Sequence, residues 1–251
     1  MENFMESGFL RSFVLKRESI PSFEIYPFNL PSVKTLNEIT FHPHVTFLVG
    51  ENGMGKSTLL EAIAVATGFN PEGGTFNFNF STFDSHSTLD RYIKLIKGIN
   101  KPKDGFFLRA ETFYNLATNI EELDREPSGR RIIDSYGGTS LHQQSHGESF
   151  WATFTNRFGG NGLYILDEPE AALSPLRQMS MLSRIHDLVC QNSQFIIATH
   201  SPIIMAYPHS KIIELTKDGA KETTLEETNH YSLMKQFFED KNRMLYHLLN
   251  D

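Results

Sequence analysis

Short apolar runs recur along this chain between longer amphipathic stretches. "VTFLV" (45–49), "GFFLRAETF" (105–113), "GLYILDEPE" (162–170), "QFIIATHS" (194–201) and "KIIEL" (211–215) are rich in β-branched and aromatic residues. That is the profile of strands buried on both faces. After the first run, Leu59, Leu60, Ile63 and Ala64 fall at helical spacing, with Gly68 as a C-terminal stop. "LDRYIKLIKGI" (89–99) predicts a short amphipathic helix, and "ESFWATFTNRF" (148–158) puts Phe150, Phe154 and Phe158 on one helical stripe. "SPLRQMSMLSRIHDLVC" (174–190) predicts a strongly amphipathic helix, and another begins near Ser232. The early runs "SFVLK" (12–16), "SFEIY" (22–26) and "EITF" (38–41) read as strands, as does the Phe/Asn alternation in "NPEGGTFNFNF" (70–80). "EELDREPSGRR" (121–131) reads as a surface excursion and "KDGAKET" (217–223) as a hairpin. Buried strands alternating with helices predict an α/β fold: a mostly parallel sheet flanked by helices, with an antiparallel β edge from the N-terminal strands. No internal repeat or linker divides the chain, so 1–251 reads as one domain, with about 75–160 forming an inserted subdomain.

Composition narrows the classes. A 39 % hydrophobic, 21 % charged chain of 251 residues is globular rather than disordered. The net charge of −7 gives no general indication of a nucleic-acid surface. Lys94, Lys97, Lys101 and Lys103, and separately Arg130 and Arg131, are the basic clusters and read as solvated faces, with a DNA or partner surface as the alternative. A lone cysteine, Cys190, excludes a disulfide framework and a cysteine-based zinc site, and suits a reducing, cytoplasmic setting. "FHPH" brings His42 and His44 together without acids or cysteines, a poor metal site. "MENFMESGFL" lacks the features of a secretory signal, and no apolar run approaches the ~18 residues of a membrane span, so no membrane partner is expected.

The strand "VTFLV" runs straight into "GENGMGKST" (50–58), which fits G-x-x-x-x-G-K-[ST] between a strand and a helix. Backbone N–H groups of such a turn, with the positive end of the following helix, make a cradle for phosphates. Gly50, Glu51, Asn52, Gly53, Met54, Gly55, Lys56, Ser57 and Thr58 are therefore the candidate nucleotide-binding residues. Lys56 can reach the β- and γ-phosphates, and the Ser57 hydroxyl can ligate Mg²⁺. Asp167 and Glu168 end an apolar strand, where ligands of open α/β sheets sit. Asp167 is placed to hold Mg²⁺ with Ser57, and Glu168 to orient or deprotonate an attacking water. Glu170 is divided between a structural and a site role. His200 follows another buried strand and can donate to the γ-phosphate.

Taken in order, "GENGMGKST", "SHGES", "LDEP", "EAALS" and "TH" resemble an ATPase of the ABC class over roughly residues 36–215. Asp167 lies 22 positions after Ser145, and His200 lies 33 after Asp167, as that class spaces them. The resemblance is closer to small bacterial AAA/ABC-type ATPases, related to DNA-repair and SMC-like ATPases rather than to transporters. It implies a P-loop NTPase sheet with a small helical subdomain around a signature motif, and ATP and Mg²⁺ as cofactors. It also implies a head-to-tail homodimer formed on ATP binding. "SHGE" (Ser145, His146, Gly147, Glu148) would be the signature that covers the partner's ATP, and 171–174 the loop that meets its two-fold mate. His146 stands where the class has its first Gly; it keeps the backbone N–H and adds bulk.

A second departure is the missing Gln between phosphate loop and signature. Glu111, beside Arg109, is the nearest substitute and a further candidate Mg²⁺ ligand; an Arg109–Glu111 ion pair is the plainer reading. Tyr26 and Phe41 are the candidates for stacking on adenine. The function implied is a soluble ATP-hydrolysing switch whose Glu168, His200 and Lys56 carry the chemistry. It would act on an as yet unidentified protein partner, in a setting such as DNA repair or phage defence. The alternatives are the ATPase subunit of a membrane transporter and a non-hydrolysing nucleotide sensor.

Overall fold

A computed structural model describes residues 8–76, 87–125 and 131–250. Residues 77–80 of the expected "FNFNF" strand, the tip of the 121–131 excursion, Arg130 and all of "MENFMES" lie outside the described residues.

The chain opens with strand β1 (Leu10–Leu15), helix α1 (Pro31–Thr35), β2 (Glu38–Thr40), β3 (Val45–Val49) and α2 (Lys56–Thr67). There follow β4 (Ile93–Lys97), β5 (Asp104–Arg109), α3 (Phe113–Arg125), α4 (His146–Asn156), β6 (Gly162–Asp167) and α5 (Pro175–Cys190). Then come β7 (Gln194–Ala198), α6 (Pro202–Met205), β8 (Lys211–Thr216), β9 (Gly219–Thr223), α7 (Asn229–Glu239) and α8 (Lys241–Asn250). Six strands form the main sheet in the order β5-β6-β7-β3-β8-β9, parallel except for the β8–β9 hairpin. A separate antiparallel sheet has the order β2-β1-β4. The fold is α/β, as the alternation of elements predicts.

The two-residue repeat of the buried strands decides which helices go where. Val45, Phe47 and Val49 of β3, Tyr164 and Leu166 of β6, and Phe195 and Ile197 of β7 face a core shared with α3, α4 and α5. Leu48, Leu163, Ile165, Ile196 and Ala198 face the opposite way, onto α2 and the small sheet. The stripe of Phe150, Phe154 and Phe158 is fully buried, and Phe158 stacks on Tyr164 at 4.3 Å. Helix α3 packs on the 3-10 turns at Ile132–Tyr136 and Leu141–Gln143, and α4 packs on the first of them.

Three local expectations are corrected. Residues 93–97 form strand β4, preceded by a 3-10 turn at Thr88–Tyr92, not a helix. "IKLIK" satisfies both periods, and β1 supplies a ladder partner from Ile93–Leu15 through Lys97–Leu10. Residues 22–26 form turns, not a strand. Pro21 and Pro27 bracket them and lack ladder donors, and Ile25 and Tyr26 are exposed. The C-terminal helix starts at Asn229, capped by Thr228, and breaks at Asp240 into two. At the opposite end of β3 from the glycine loop, His42 Nδ1 accepts the backbone N–H groups of His44 (3.2 Å) and Val45 (3.4 Å), closing a turn.

Candidate functional site

The register of the sheet brings the chemistry to one edge. Arg109 of β5 is level with Asp167 of β6, Asp167 with Ala198 of β7, and Ala198 with Leu48 of β3. The segments leaving these strand ends are 50–55, 168–174 and 199–201. Asp167 has the same parity as Leu163 and Ile165, so its side chain points to the α2 side. There its Oδ1 accepts the Ser57 hydroxyl at 3.0 Å.

The glycine loop is shaped by a close approach. Gly50 has φ +144°, and a Cβ there would lie 2.5 Å from the Leu215 carbonyl oxygen of β8. Only glycine fits where β3 hands over to the loop beside β8. The Lys56 ammonium sits inside the loop and donates to the carbonyls of Gly50 (3.0 Å) and Glu51 (3.3 Å). Burial lowers its pKa, while Glu168, Asp167 and Glu170 oppose that shift.

Asp167 is 5 % exposed. Burial pushes its carboxyl up to about 6, against the opposing pull of Arg109 and the Ser57 hydroxyl. A buried carboxylate beside a hydroxyl is a hard, all-oxygen donor pair lacking a full counter-charge, and it suits Mg²⁺. Arg109 supplies part of that charge, its Nε standing 3.6 Å from Asp167 Oδ2. The stronger pairing of Arg109 is with Glu61 of α2, at 2.6 Å. The expected Arg109–Glu111 pair is present at a looser 3.7 Å, with the Glu111 side chain 85 % exposed.

Glu168 adopts a left-handed backbone (φ +49°), uncommon for a residue with a side chain. Its N–H is tied to the Ala198 carbonyl at 2.9 Å, and its carboxylate oxygen lies 3.5 Å from His200 Nε2. Glu170 has a definite task. Its two oxygens accept the Thr199 hydroxyl (2.7 Å) and the His200 N–H (2.5 Å), clamping the turn that presents His200. Gln178 adds a second brace, donating to the Leu173 carbonyl (2.9 Å) and accepting from the Ser201 hydroxyl (2.6 Å). Burial, then Lys56 and the neighbouring His230, lower the His200 pKa, while Glu168 raises it. Among the described residues, Arg109 Nε and His200 Nε2 are buried nitrogens of this edge with no hydrogen-bond partner.

Residues 145–148 make no hydrogen bond, ion pair or ring contact with 50–58 among the described residues. Ser145 caps α4 in a capping box: its Oγ accepts the Glu148 N–H, and Glu148 Oε2 accepts the Ser145 N–H at 3.0 Å and hydroxyl at 2.6 Å. These bonds hold the Glu148 carboxyl below its ordinary range. Gly147 packs against the 171–174 loop, where a Cβ would meet the Ala172 carbonyl oxygen at 2.7 Å. His146 is exposed and edge-on to Phe113. Of the two aromatic candidates, Phe41 is buried in the core. Tyr26 is 62 % exposed, with its hydroxyl 3.4 Å from Thr58 Oγ1.

Glu61, Gln178 and His230 join the site without any motif to announce them. Glu61 and Gln178 sit within helices whose apolar neighbours dominate the pattern, and His230 lies beyond the last buried strand.

Solved structures to which the chain is similar in fold include the following two. One is an SMC head domain from Thermotoga maritima (14 % identity, 86 % of this chain and 98 % of that one, TM-score 0.44). The other is an ATP-binding subunit of an ABC transporter (16 % identity, 81 % and 87 %, TM-score 0.40). No curated protein matches the chain. A family model described as an AAA domain matches residues 27–155, just over half of the sequence, from ahead of the glycine loop to the end of α4. This chain belongs to that AAA-domain family of nucleotide-binding P-loop ATPases.

Proposed function

We propose that this chain hydrolyses ATP with Mg²⁺, and that two copies pack head to tail so that 145–148 of each covers the nucleotide of the other. The observation that carries the reading is the Ser57–Asp167 bond at 3.0 Å, which ties the first turn of α2, just after the glycine loop, to a strand end bearing Glu168, with His200 in the turn after the next strand. On this reading the loop N–H groups and Lys56 bind the phosphates. Ser57 and Asp167 hold Mg²⁺, and Glu111, paired loosely with Arg109, is offered as a further ligand. When bound, the metal neutralises charge on the β- and γ-oxygens. Glu168 orients the attacking water and takes its proton, since the buried Asp167 is committed to Ser57 and the cation. His200 donates to the γ-phosphate. Tyr26, exposed in the turns beside the first turn of α2, stacks on the base.

The capping box supports the shared site. It fixes Ser145 at an exposed helix N-terminus, the setting in which a hydroxyl and backbone donors meet an anion. Gly147 binds that terminus to 171–174, so signature and interface loop would move together. Residues 75–160 carry the signature as a subdomain of one 1–251 unit. Closing and opening of the dimer would act as a switch on a protein partner, in DNA repair or phage defence.

Steady-state turnover of the wild type and Glu168→Gln tests the reading. Wild-type turnover should fall at least about 100-fold in the variant, while ATP-dependent dimers accumulate. Equal inactivity of both proteins with ATP still bound would favour a nucleotide sensor.

A further inference from the structure

His230 lies in the first turn of α7, outside the main sheet. Its Nε2 is 2.7 Å from His200 Nδ1, with the rings 4.8 Å apart at 64°. Both rings are half-buried, and both titrate below the ordinary histidine value. Burial is the first cause for each, followed by the Lys56 charge; Glu168 opposes the shift at His200, and Glu214 and Glu51 oppose it at His230. Two neutral imidazoles at this distance share one hydrogen, which can belong to either nitrogen.

The far side of His200 decides between them. His200 Nε2 has no hydrogen-bond partner and faces the Glu168 carboxylate at 3.5 Å. An ionised carboxylate only accepts, so a bare Nε2 would set a lone pair against negative charge. The favourable arrangement puts the hydrogen on His200 Nε2. That leaves His200 Nδ1 as acceptor and makes His230 Nε2–H the donor.

We propose that His230 is a positioning residue of the ATPase site: by donating to His200 Nδ1 it holds His200 in the Nε2–H form, with that hydrogen turned towards Glu168 and the phosphate edge. The proposal deepens, and rests on, the reading of His200 as a donor to the γ-phosphate. It also gives the C-terminal helices a hold on turnover. No residue of α7 or α8 is buried. Among the described residues, their other side-chain hydrogen bonds and ion pairs stay within 228–250. The imidazole pair is thus their polar link to the sheet edge.

The test combines a spectrum with kinetics. In ¹⁵N-histidine-labelled protein, His200 is assigned by the signals missing in His200→Gln. The wild type should show His200 protonated at Nε2 and bare at Nδ1. His230→Phe should scramble that pattern and lower kcat about 10-fold or more with KM for ATP within about twofold. His230→Gln, whose amide can donate from a similar position, should restore the tautomer and most of kcat. A wild-type His200 protonated at Nδ1, or a His200 pattern unchanged in His230→Phe, overturns the proposal. Should His230→Phe not fold, the wild-type tautomer and the Gln variant decide. Absence of wild-type turnover would count against the ATPase reading alone, because the tautomer is read without it.

Discussion

At the scale of single residues, Asp167 has the least comfortable environment on the candidate edge. Its folded pKa, about 6, lies above the ordinary 3.8, so the folded chain holds the proton more tightly than the unfolded one. Ionised Asp167 therefore costs stability above about pH 6, and the cost vanishes below about pH 4. This group alone makes stability fall as pH rises between those values, by on the order of 3 kcal/mol. Asp167→Asn keeps an acceptor for Ser57 and removes the cost. Thermal denaturation without nucleotide should show the variant melting roughly 6 °C above the wild type near pH 7.5, and no higher near pH 4. A variant less stable than the wild type near pH 7.5 would contradict this account of Asp167. The same buried carboxylate that burdens the free chain is the one offered to a cation.

At the scale of elements, the Arg109–Glu61 pair joins strand β5 to helix α2 behind the glycine loop. Both side chains are nearly buried, and Glu61 also accepts the Ser87 N–H at 2.9 Å. Removing one partner strands the other charge, at a cost of about 3–5 kcal/mol. Arg109→Ala should lower the melting temperature by roughly 6–12 °C. A fall under about 2 °C would show that the pair is dispensable. Helix α8 is the opposite case: with no buried residue, its deletion (241–250) should shift the melting temperature by less than about 2 °C. The strands and helices that meet the core on a clear period were legible in the sequence, among them β3, β6, β7, α2 and α5. Strand β4 was not, because "IKLIK" fits two periods and only its partner β1 chooses between them. Residues 22–26 misled because Ile25 and Tyr26 face solvent and only Phe23 packs partly against the core. The site was legible where residue type and spacing carry the chemistry: Lys56, Ser57, Asp167, Glu168 and His200 converge on one sheet edge. Arg109's bond to Glu61, the clamp by Glu170 and the contact with His230 were not, since each joins residues 29–48 positions apart.

At the scale of the whole molecule, each chain holds the phosphate loop, the carboxylates and His200 at one edge, and the capped Ser145 elsewhere. On the proposed reading a complete site takes two chains, and an intact site could be assembled from two differently damaged ones. On that reading Lys56→Ala would remove the phosphate-binding amine from a chain but leave its signature. Ser145→Arg spoils the signature's anion-facing terminus but leaves the loop. The most direct test is ATP turnover by each variant alone and by an equimolar mixture. Each alone should be nearly inactive. The mixture should recover up to about a quarter of wild-type turnover, because half of the dimers are mixed and each of those holds one intact composite site of two. A mixture no more active than its separate components, with mixed dimers shown to form, would contradict the shared-site account.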